Sequence, residues 1–271
     1  MTRRVALFAG AVLAVTVAAC THSTATHPSA AARTYTGPLY LSVPSAEHPD
    51  AGAAGDIVDC RTWGGGAFSA APVYNQGATA DSPEAALQEQ GIFSGVVDGL
   101  QVAKREKDRI LYVREVHGVV KQAVIVHNGP ATQGAGGPGW YVESWAACDA
   151  SEFPRSVNDA AGLQIWTDAA GEPVATTTIR SSRGPEHCDW QSMTFLELGK
   201  TTYVRDPLPD LAEYFADPYQ AHTTLPTGAI DTGYQRNGQR LWLSSDRHTA
   251  YVGAETDVGA WPREIKPLLC D

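Results

Sequence analysis

The chain has 271 residues, 43% of them hydrophobic, and a formal charge of −10 at pH 7. This length suits one large or two small domains. The acidic balance and the lack of any basic run argue against a nucleic-acid-binding protein, because phosphate backbones are bound chiefly by clustered Lys and Arg side chains.

The N-terminus predicts a signal peptide over residues 1–19. A short positive region precedes the uncharged stretch 5–19, which is too short to span a membrane but has the length of a signal-peptide core. Residues 17–20, VAAC, resemble a bacterial lipobox. The resemblance implies cleavage before Cys20 and attachment of diacylglycerol to its sulfur, with palmitate as a typical acyl chain. The alternative is an ordinary secretory signal in which this cysteine is incidental.

Residues 20–37 predict a flexible tether that begins at the lipidated cysteine. They are rich in Thr, Ala, Ser and Pro and hold few large apolar side chains, so burial cannot offset their ordering entropy. A random coil of this length spans about 20–25 Å. We therefore expect a folded body that is anchored to the cell membrane through its N-terminal lipid and lies on the extracytoplasmic face.

Four cysteines follow the lipobox, at Cys60, Cys148, Cys188 and Cys270. An exported chain folds in an oxidising compartment, and four cysteines allow three pairings. Each half of the body begins with a cysteine close to a tryptophan and ends in Cys-Asp, which favours the pairs Cys60–Cys148 and Cys188–Cys270. Each bond would contribute roughly 4–5 kcal/mol to stability in the chain-entropy model.

The same division predicts the domain organisation and an α+β fold class. We expect a first module over 38–150, a linker over 151–162 and a second module over 163–271. Both modules would contain small antiparallel sheets with short helices, stabilised by disulfides. The similar order of elements in the two modules indicates a weak internal duplication or arises by chance.

In the first module, residues 81–91 predict a short helix with Ser82 as its N-cap. Residues 109–129 consist of two β-rich runs around His117-Gly118 and predict a hairpin. Residues 140–148 predict a third strand.

Strict alternation in this third strand would place Trp140 and Val142 on one face, and Tyr141 and Trp145 on the other. One set would face the core. The other set would pack under a helix or form an aromatic surface that binds a sugar or a peptide.

In the second module, residues 187–199 predict a helix that ends at Gly199. Residues 201–207 predict a strand, and the apolar spacing within 208–215 predicts a short amphipathic helix. Residues 239–255 predict a second hairpin.

The densest group of reactive side chains lies in residues 180–193, RSSRGPEHCDWQSM. Arg183, Glu186 and His187 are the candidate catalytic residues, because a histidine and a carboxylate within hydrogen-bond reach can share acid–base work. Residues 231–234, DTGY, would complete such a site. The alternative is structural, with a turn and a helix start beside a disulfide.

No sequence motif assigns a metal or a cofactor. The patterns G-x-S-x-G, H-E-x-x-H, C-x-x-C, the EF-hand loop and the Walker sequence do not occur. Metal handling by histidines is a further alternative, and the residues concerned are His117, His127, His187 and His248.

Three segments, 139–154, 184–199 and 231–246, resemble exported proteins and lipoproteins of high-GC Gram-positive bacteria of the actinobacterial type. The resemblance covers most of the mature chain. It implies an envelope location but no established activity, so it supplies no catalytic residues.

These observations predict a non-enzymatic binding or accessory lipoprotein of the cell envelope, which recognises an envelope component or a protein partner. The alternative is a cell-wall hydrolase that cleaves glycan or peptide with paired carboxylates. Acidic residues are plentiful in the chain, and such pairs have no fixed sequence spacing.

Overall fold

The structure, a computed structural model, describes residues 35–43, 45–68, 79–89, 99–130 and 137–269. These residues belong to one compact unit. The predicted signal peptide, the predicted lipidation site Cys20, most of the predicted tether and Cys270 lie outside them. Within the described ranges, no helix is both long enough and apolar enough to cross a membrane.

Antiparallel strands in three sheets make up most of the regular secondary structure of the described residues, and the predicted α+β class with antiparallel sheets, short helices and a disulfide is confirmed. The α-helices of the described residues are α1 (Gly52–Gly55), α2 (Pro83–Glu89) and α3 (Arg155–Ala160). Short 3-10 helices lie at Pro49–Ala51, Ala150–Glu152, Glu186–Cys188 and Pro209–Tyr214.

The first sheet contains β1 (Trp63–Phe68), β2 (Gln101–Arg105), β3 (Arg109–Val116), β4 (Val119–Gly129) and β5 (Gly139–Cys148). Their spatial order is β1-β5-β4-β3-β2. The predicted hairpin over 109–129 is confirmed as β3 and β4, and the predicted third strand as β5. His117 and Gly118 join the hairpin with φ angles of 53° and 78°, which suit a two-residue turn between twisted strands.

Both faces of the first sheet are covered. The face that carries Leu111 and Ile125 packs against Leu39 and α1. The opposite face, with Val124 and Val142, packs against α2. The predicted first helix is α2, and Ser82 caps it as expected because its Oγ accepts a hydrogen bond from the amide three residues later at 3.1 Å.

A β-bulge in β5 overturns the predicted alternation of its aromatic side chains. The ladder between β4 and β5 leaves Glu143 as an extra residue on β5. This residue shifts the side-chain parity, so that Trp145 packs with Trp140 on the face that α2 covers. The prediction that Trp145 shares a face with Tyr141 is therefore wrong.

The second sheet contains β6 (Leu163–Ile165), β7 (Ile179–Arg183), β8 (Thr194–Leu198) and β9 (Thr201–Arg205), in that spatial order. The third contains β10 (Gln220–Thr223), β11 (Ile230–Arg236), β12 (Gln239–Leu243), β13 (Thr249–Ala254) and β14 (Asp257–Pro262). Both sheets contribute to a core around Trp166, the second through Leu196 and the third through Leu241.

Two predictions for the second module are confirmed, since β9 forms the predicted strand and β12 with β13 the predicted hairpin. The predicted short helix within 208–215 is a 3-10 helix.

The helix predicted over 187–199 is wrong, because only Glu186–Cys188 is helical there and β8 follows. Phe195 and Leu196 of β8 pack into separate clusters on opposite faces. A short apolar run of this kind does not distinguish a central strand from a buried helix.

The first and third sheets have the same topology. The third sheet has the order β10-β14-β13-β12-β11, so in both sheets the first strand of the set pairs with the last and the rest form a meander. The predicted hairpins, β3–β4 and β12–β13, occupy equivalent positions. This shared order supports the predicted duplication, whereas the second sheet has no counterpart among the described strands of the first module.

The predicted disulfide Cys60–Cys148 is present, with its Cα atoms 5.1 Å apart. It joins the chain just before β1 to the end of β5, the strand that β1 pairs with. Cys188 is also disulfide-bonded. Because Cys270 lies outside the described residues, the pairing Cys188–Cys270 stays a prediction.

Candidate functional site

The candidate site is a pocket of about 300 Å³ beside α3. Its walls come from the Ala150–Glu152 turn, α3, β6 and the end of β11. This volume lies at the lower end of the range for small-molecule pockets. The pocket can therefore hold a compact ligand, and its walls include residues of the predicted linker.

Two buried carboxylates fix the turn that forms one wall. Asp149 accepts hydrogen bonds from the amide and the hydroxyl of Thr176 at 3.0 and 2.5 Å. Glu152 accepts hydrogen bonds from the amide of Thr62 at 2.7 Å and the ammonium of Lys121 at 2.8 Å. Burial would raise the pKa of both carboxyls, but these and neighbouring hydrogen bonds outweigh it and hold each pKa below its usual value.

Arg236, the last residue of β11, is the central feature of the pocket. Its guanidinium carbon lies 5.5 Å from the centre of the Trp166 ring, within the range of a cation–π contact. Trp166 is fully buried, and its indole N–H donates to the Ser181 hydroxyl at 2.9 Å, which fixes the ring. The Nε of Arg236 is buried and has no hydrogen-bond partner in the described part of the chain.

The surroundings of Arg236 are cationic. Burial lowers the pKa of Arg236, and the charges of Arg155 and Arg205 lower it further. Asp159 acts in the opposite direction, but it pairs with Arg155 at 3.2 Å. The side chain of Arg155 also donates to Asn237 at 3.0 Å. The described lining thus contains two arginines and one carboxylate, although the whole chain carries a formal charge of −10.

This arrangement is one that an anion would stabilise. Burying a cation is unfavourable unless an opposite charge offsets the loss of hydration. Arginine does not lose its proton at physiological pH. The Oε1 atom of Gln164, which lines the same pocket, is also buried without a hydrogen-bond partner among the described residues, but as an acceptor it requires a donor and not an anion. An anionic ligand would supply the negative charge that offsets the positive charge of the guanidinium.

A second pocket, of about 180 Å³, adjoins the first at α3. Phe153, Asn158 and Leu163 line both pockets, so the two pockets share these side chains. The second pocket is mostly apolar and includes the side chains of Trp145 and Val157. A cationic cavity and an apolar cavity therefore lie side by side.

A buried charged network in the first sheet differs from this site because its members satisfy one another. The Glu143 carboxylate, placed by the β-bulge, accepts two hydrogen bonds from the Arg109 guanidinium at 2.7 and 2.8 Å. His127 Nδ1 lies 3.2 Å from this carboxylate and 2.9 Å from the Tyr141 hydroxyl. The hydrogen bond to Glu143 raises the pKa of Arg109. We interpret this network as structural.

The predicted catalytic residues lie on the surface. Arg183 ends β7, Glu186 and His187 lie in the following 3-10 helix, and all three side chains are exposed. Among the described residues, no side-chain hydrogen bond or ion pair joins them to one another. Residues 231–234 are engaged elsewhere, since Asp231 pairs with an arginine of β12. Their catalytic role stays a prediction.

The histidines considered for metal handling are dispersed. His117 occupies the β3–β4 turn, His127 belongs to the network with Glu143, and His248 lies 3.6 Å from Asp246. In the ranges that the structure describes, no group of three or more His, Cys, Asp or Glu side chains is placed to hold a metal ion.

Comparison with protein families, with curated proteins and with solved structures finds no match for this chain. The candidate site therefore rests on its geometry. The sequence does not indicate Arg236 and Trp166 as a pair. The available local signal is the Asn237-Gly238 turn, which places Arg236 at the end of a hairpin strand, but this turn does not reveal what the arginine contacts.

Proposed function

We propose that this chain is an extracytoplasmic lipoprotein, anchored to the cell membrane through Cys20, that binds a small ligand non-enzymatically in the pocket of Arg236. The observation that carries the binding role is the buried, unpaired Nε of Arg236 above the Trp166 ring. A cation in this state gains more from an incoming opposite charge than an exposed and hydrated one does.

The anchoring part of the proposal rests on the uncharged stretch 5–19 and on the lipobox-like residues 17–20. Labelled palmitate should be incorporated into the wild-type protein and not into Cys20→Ser protein. The wild type should also sediment with membranes. A wild-type protein without label, or equal labelling of both proteins, would contradict the anchoring.

Binding suits this pocket better than hydrolysis. Glycoside hydrolysis requires two carboxyl groups on either side of the bond that is cleaved. The described lining contains one carboxylate, Asp159, and Arg155 pairs with it. The buried carboxylates of Glu143 and Asp149 are held by hydrogen bonds elsewhere. The described lining of this pocket therefore lacks the pair of carboxylates that the hydrolase alternative requires.

The binding role can be tested by native mass spectrometry after the purified protein is exposed to a small-molecule extract of cell envelopes. Wild-type protein should retain an added mass that Arg236→Met protein lacks. Arg240→Met is the matched control. Arg240 also stacks on a tryptophan, Trp242, at 5.1 Å, but it has the carboxylate partners that Arg236 lacks. The absence of any added mass, or the same mass on all three proteins, would contradict the proposal.

A further inference from the structure

We propose that the ligand of this pocket is an organic monoanion, in which a carboxylate is joined to an apolar chain or ring. This inference rests on the proposed function, because it names the ligand class for the same pocket. Its basis is the juxtaposition of the cationic pocket of Arg236 and the apolar pocket of Trp145.

The charges of the lining match a single negative charge. The described lining has two positive side chains, Arg155 and Arg236, and one negative side chain, Asp159. Asp159 already pairs with Arg155. Arg236 is thus the cation of the described lining that lacks an anionic partner. A carboxylate brings one charge, whereas a phosphate monoester brings about two and would leave part of its charge unmatched.

The geometry of Arg236 suits a carboxylate. Contact with the Trp166 ring restrains the planar guanidinium. No described residue accepts a hydrogen bond from the Nε of Arg236. A planar guanidinium offers parallel N–H groups that match the two oxygens of a carboxylate.

Several side chains that line the two pockets are apolar. Phe153, Leu163, Ile165 and Pro173 line the cationic pocket. Phe153 and Leu163 also line the second pocket, where Trp145 extends the apolar surface. A chain or ring attached to the carboxylate would therefore contact apolar side chains as it extends away from Arg236, and its burial would add to the affinity.

A series of straight-chain carboxylates from acetate to decanoate tests this inference by calorimetric titration and thermal shift of the purified protein. The dissociation constant should fall about fourfold for each added methylene until the apolar pocket is filled. Octanamide keeps the chain but lacks the charge, and it should bind at least about tenfold more weakly than octanoate. Inorganic phosphate should bind more weakly than octanoate.

Two variants separate the roles of charge and chain. Arg236→Met should abolish binding of every carboxylate in the series, whereas the control Arg240→Met should retain it. Ala161 directly follows α3, is exposed and lines the second pocket. Ala161→Trp should therefore fill that pocket, leave acetate and butyrate binding unchanged, and remove the gain from longer chains.

The outcomes distinguish this inference from the proposed function. Three results would each overturn the ligand class. Carboxylates could bind without a gain in affinity from chain length, octanamide could bind as tightly as octanoate, or carboxylate binding could survive Arg236→Met. If no carboxylate binds but an envelope-derived mass still depends on Arg236, the ligand class is wrong and the binding function stands. If neither binds, both are wrong.

Discussion

The guanidinium carbon of Arg236 lies 5.5 Å from the centre of the Trp166 ring, and the Nε of the same group has no hydrogen-bond partner among the described residues. On the next strand, Arg240 lies 5.1 Å from the centre of the Trp242 ring but pairs with two carboxylates. Two arginines of one hairpin thus make the same kind of contact with a tryptophan ring, but only Arg240 also pairs with carboxylates. Arg240 therefore serves as the internal control for Arg236 in tests of stability and of binding.

Replacement of Arg236 should not destabilise the ligand-free protein. We expect Arg236→Met to be as stable as the wild type or more stable by about 1 kcal/mol, because the change removes a desolvated charge that no carboxylate offsets. Arg240→Met should lose up to about 1 kcal/mol with its exposed ion pairs. Urea unfolding followed by tryptophan fluorescence measures both. A loss above about 2 kcal/mol in Arg236→Met would show that the guanidinium has a stabilising partner.

The ion pair of Glu143 should contribute far more than an exposed pair of the same chemistry. Glu143→Gln should cost about 2–3 kcal/mol, because it leaves the largely buried guanidinium of Arg109 with only the partly exposed carboxylate of Asp108. Glu197→Gln breaks the exposed cross-strand pair with Arg180 and should cost less than about 1 kcal/mol. Chemical denaturation gives both values. Equal losses would rule out the structural role that we give to Glu143.

Asp149 and Glu152 should make the protein sensitive to acid. Their pKa values are lower in the folded state than in the unfolded chain, so their contribution is complete above the ordinary carboxyl pKa of about 4. It is lost as the pH falls through the lowered pKa of the folded state. The double variant Asp149→Asn, Glu152→Gln should be less stable at pH 7, and its stability should change less between pH 5 and pH 2. Denaturation across this range tests the prediction, and an unaltered pH slope would refute it.

Loss of the bond between Cys60 and Cys148 should lower the free energy of unfolding by about 4–5 kcal/mol, because the cysteines are 88 positions apart. In the double serine variant, β1 should be the first strand to lose protection, since it is an edge strand that pairs with β5. Hydrogen exchange read by mass spectrometry measures this, with peptides of the third sheet as the internal control. Unchanged protection of β1 would show that the bond does not hold this edge.

Local signals explain the elements that the sequence predicts correctly. The β3–β4 hairpin follows from the His117-Gly118 turn, and α2 follows from the Ser82 cap. The errors arise where contacts between strands decide the outcome. The bulge at Glu143 reverses the parity of β5, and its carboxylate meets Arg109 of a non-adjacent strand. Residues 194–198 are a strand rather than a helix because β7 and β9 pair with them on both sides.

The pocket could not be predicted in this way because its central contact is not local. Arg236 reaches Trp166 because the adjacent residues Thr167 and Gln235, 68 positions apart, form a β-bridge. An arginine at the end of a hairpin strand is ordinarily expected on the surface. Only the packing of the second and third sheets around Trp166 places this one over an aromatic ring.

The most direct test of the binding role uses the NMR signal of the Arg236 side chain. Comparison of the arginine Nε–H resonances of the wild type and the Arg236→Met variant assigns one resonance to Arg236. We predict that this resonance shifts saturably when octanoate is added, while the resonance that Arg240→Met removes stays in place. If the Arg236 resonance moves neither with octanoate up to its solubility limit nor with the small-molecule extract of cell envelopes, this guanidinium binds no anion and the proposed site is wrong.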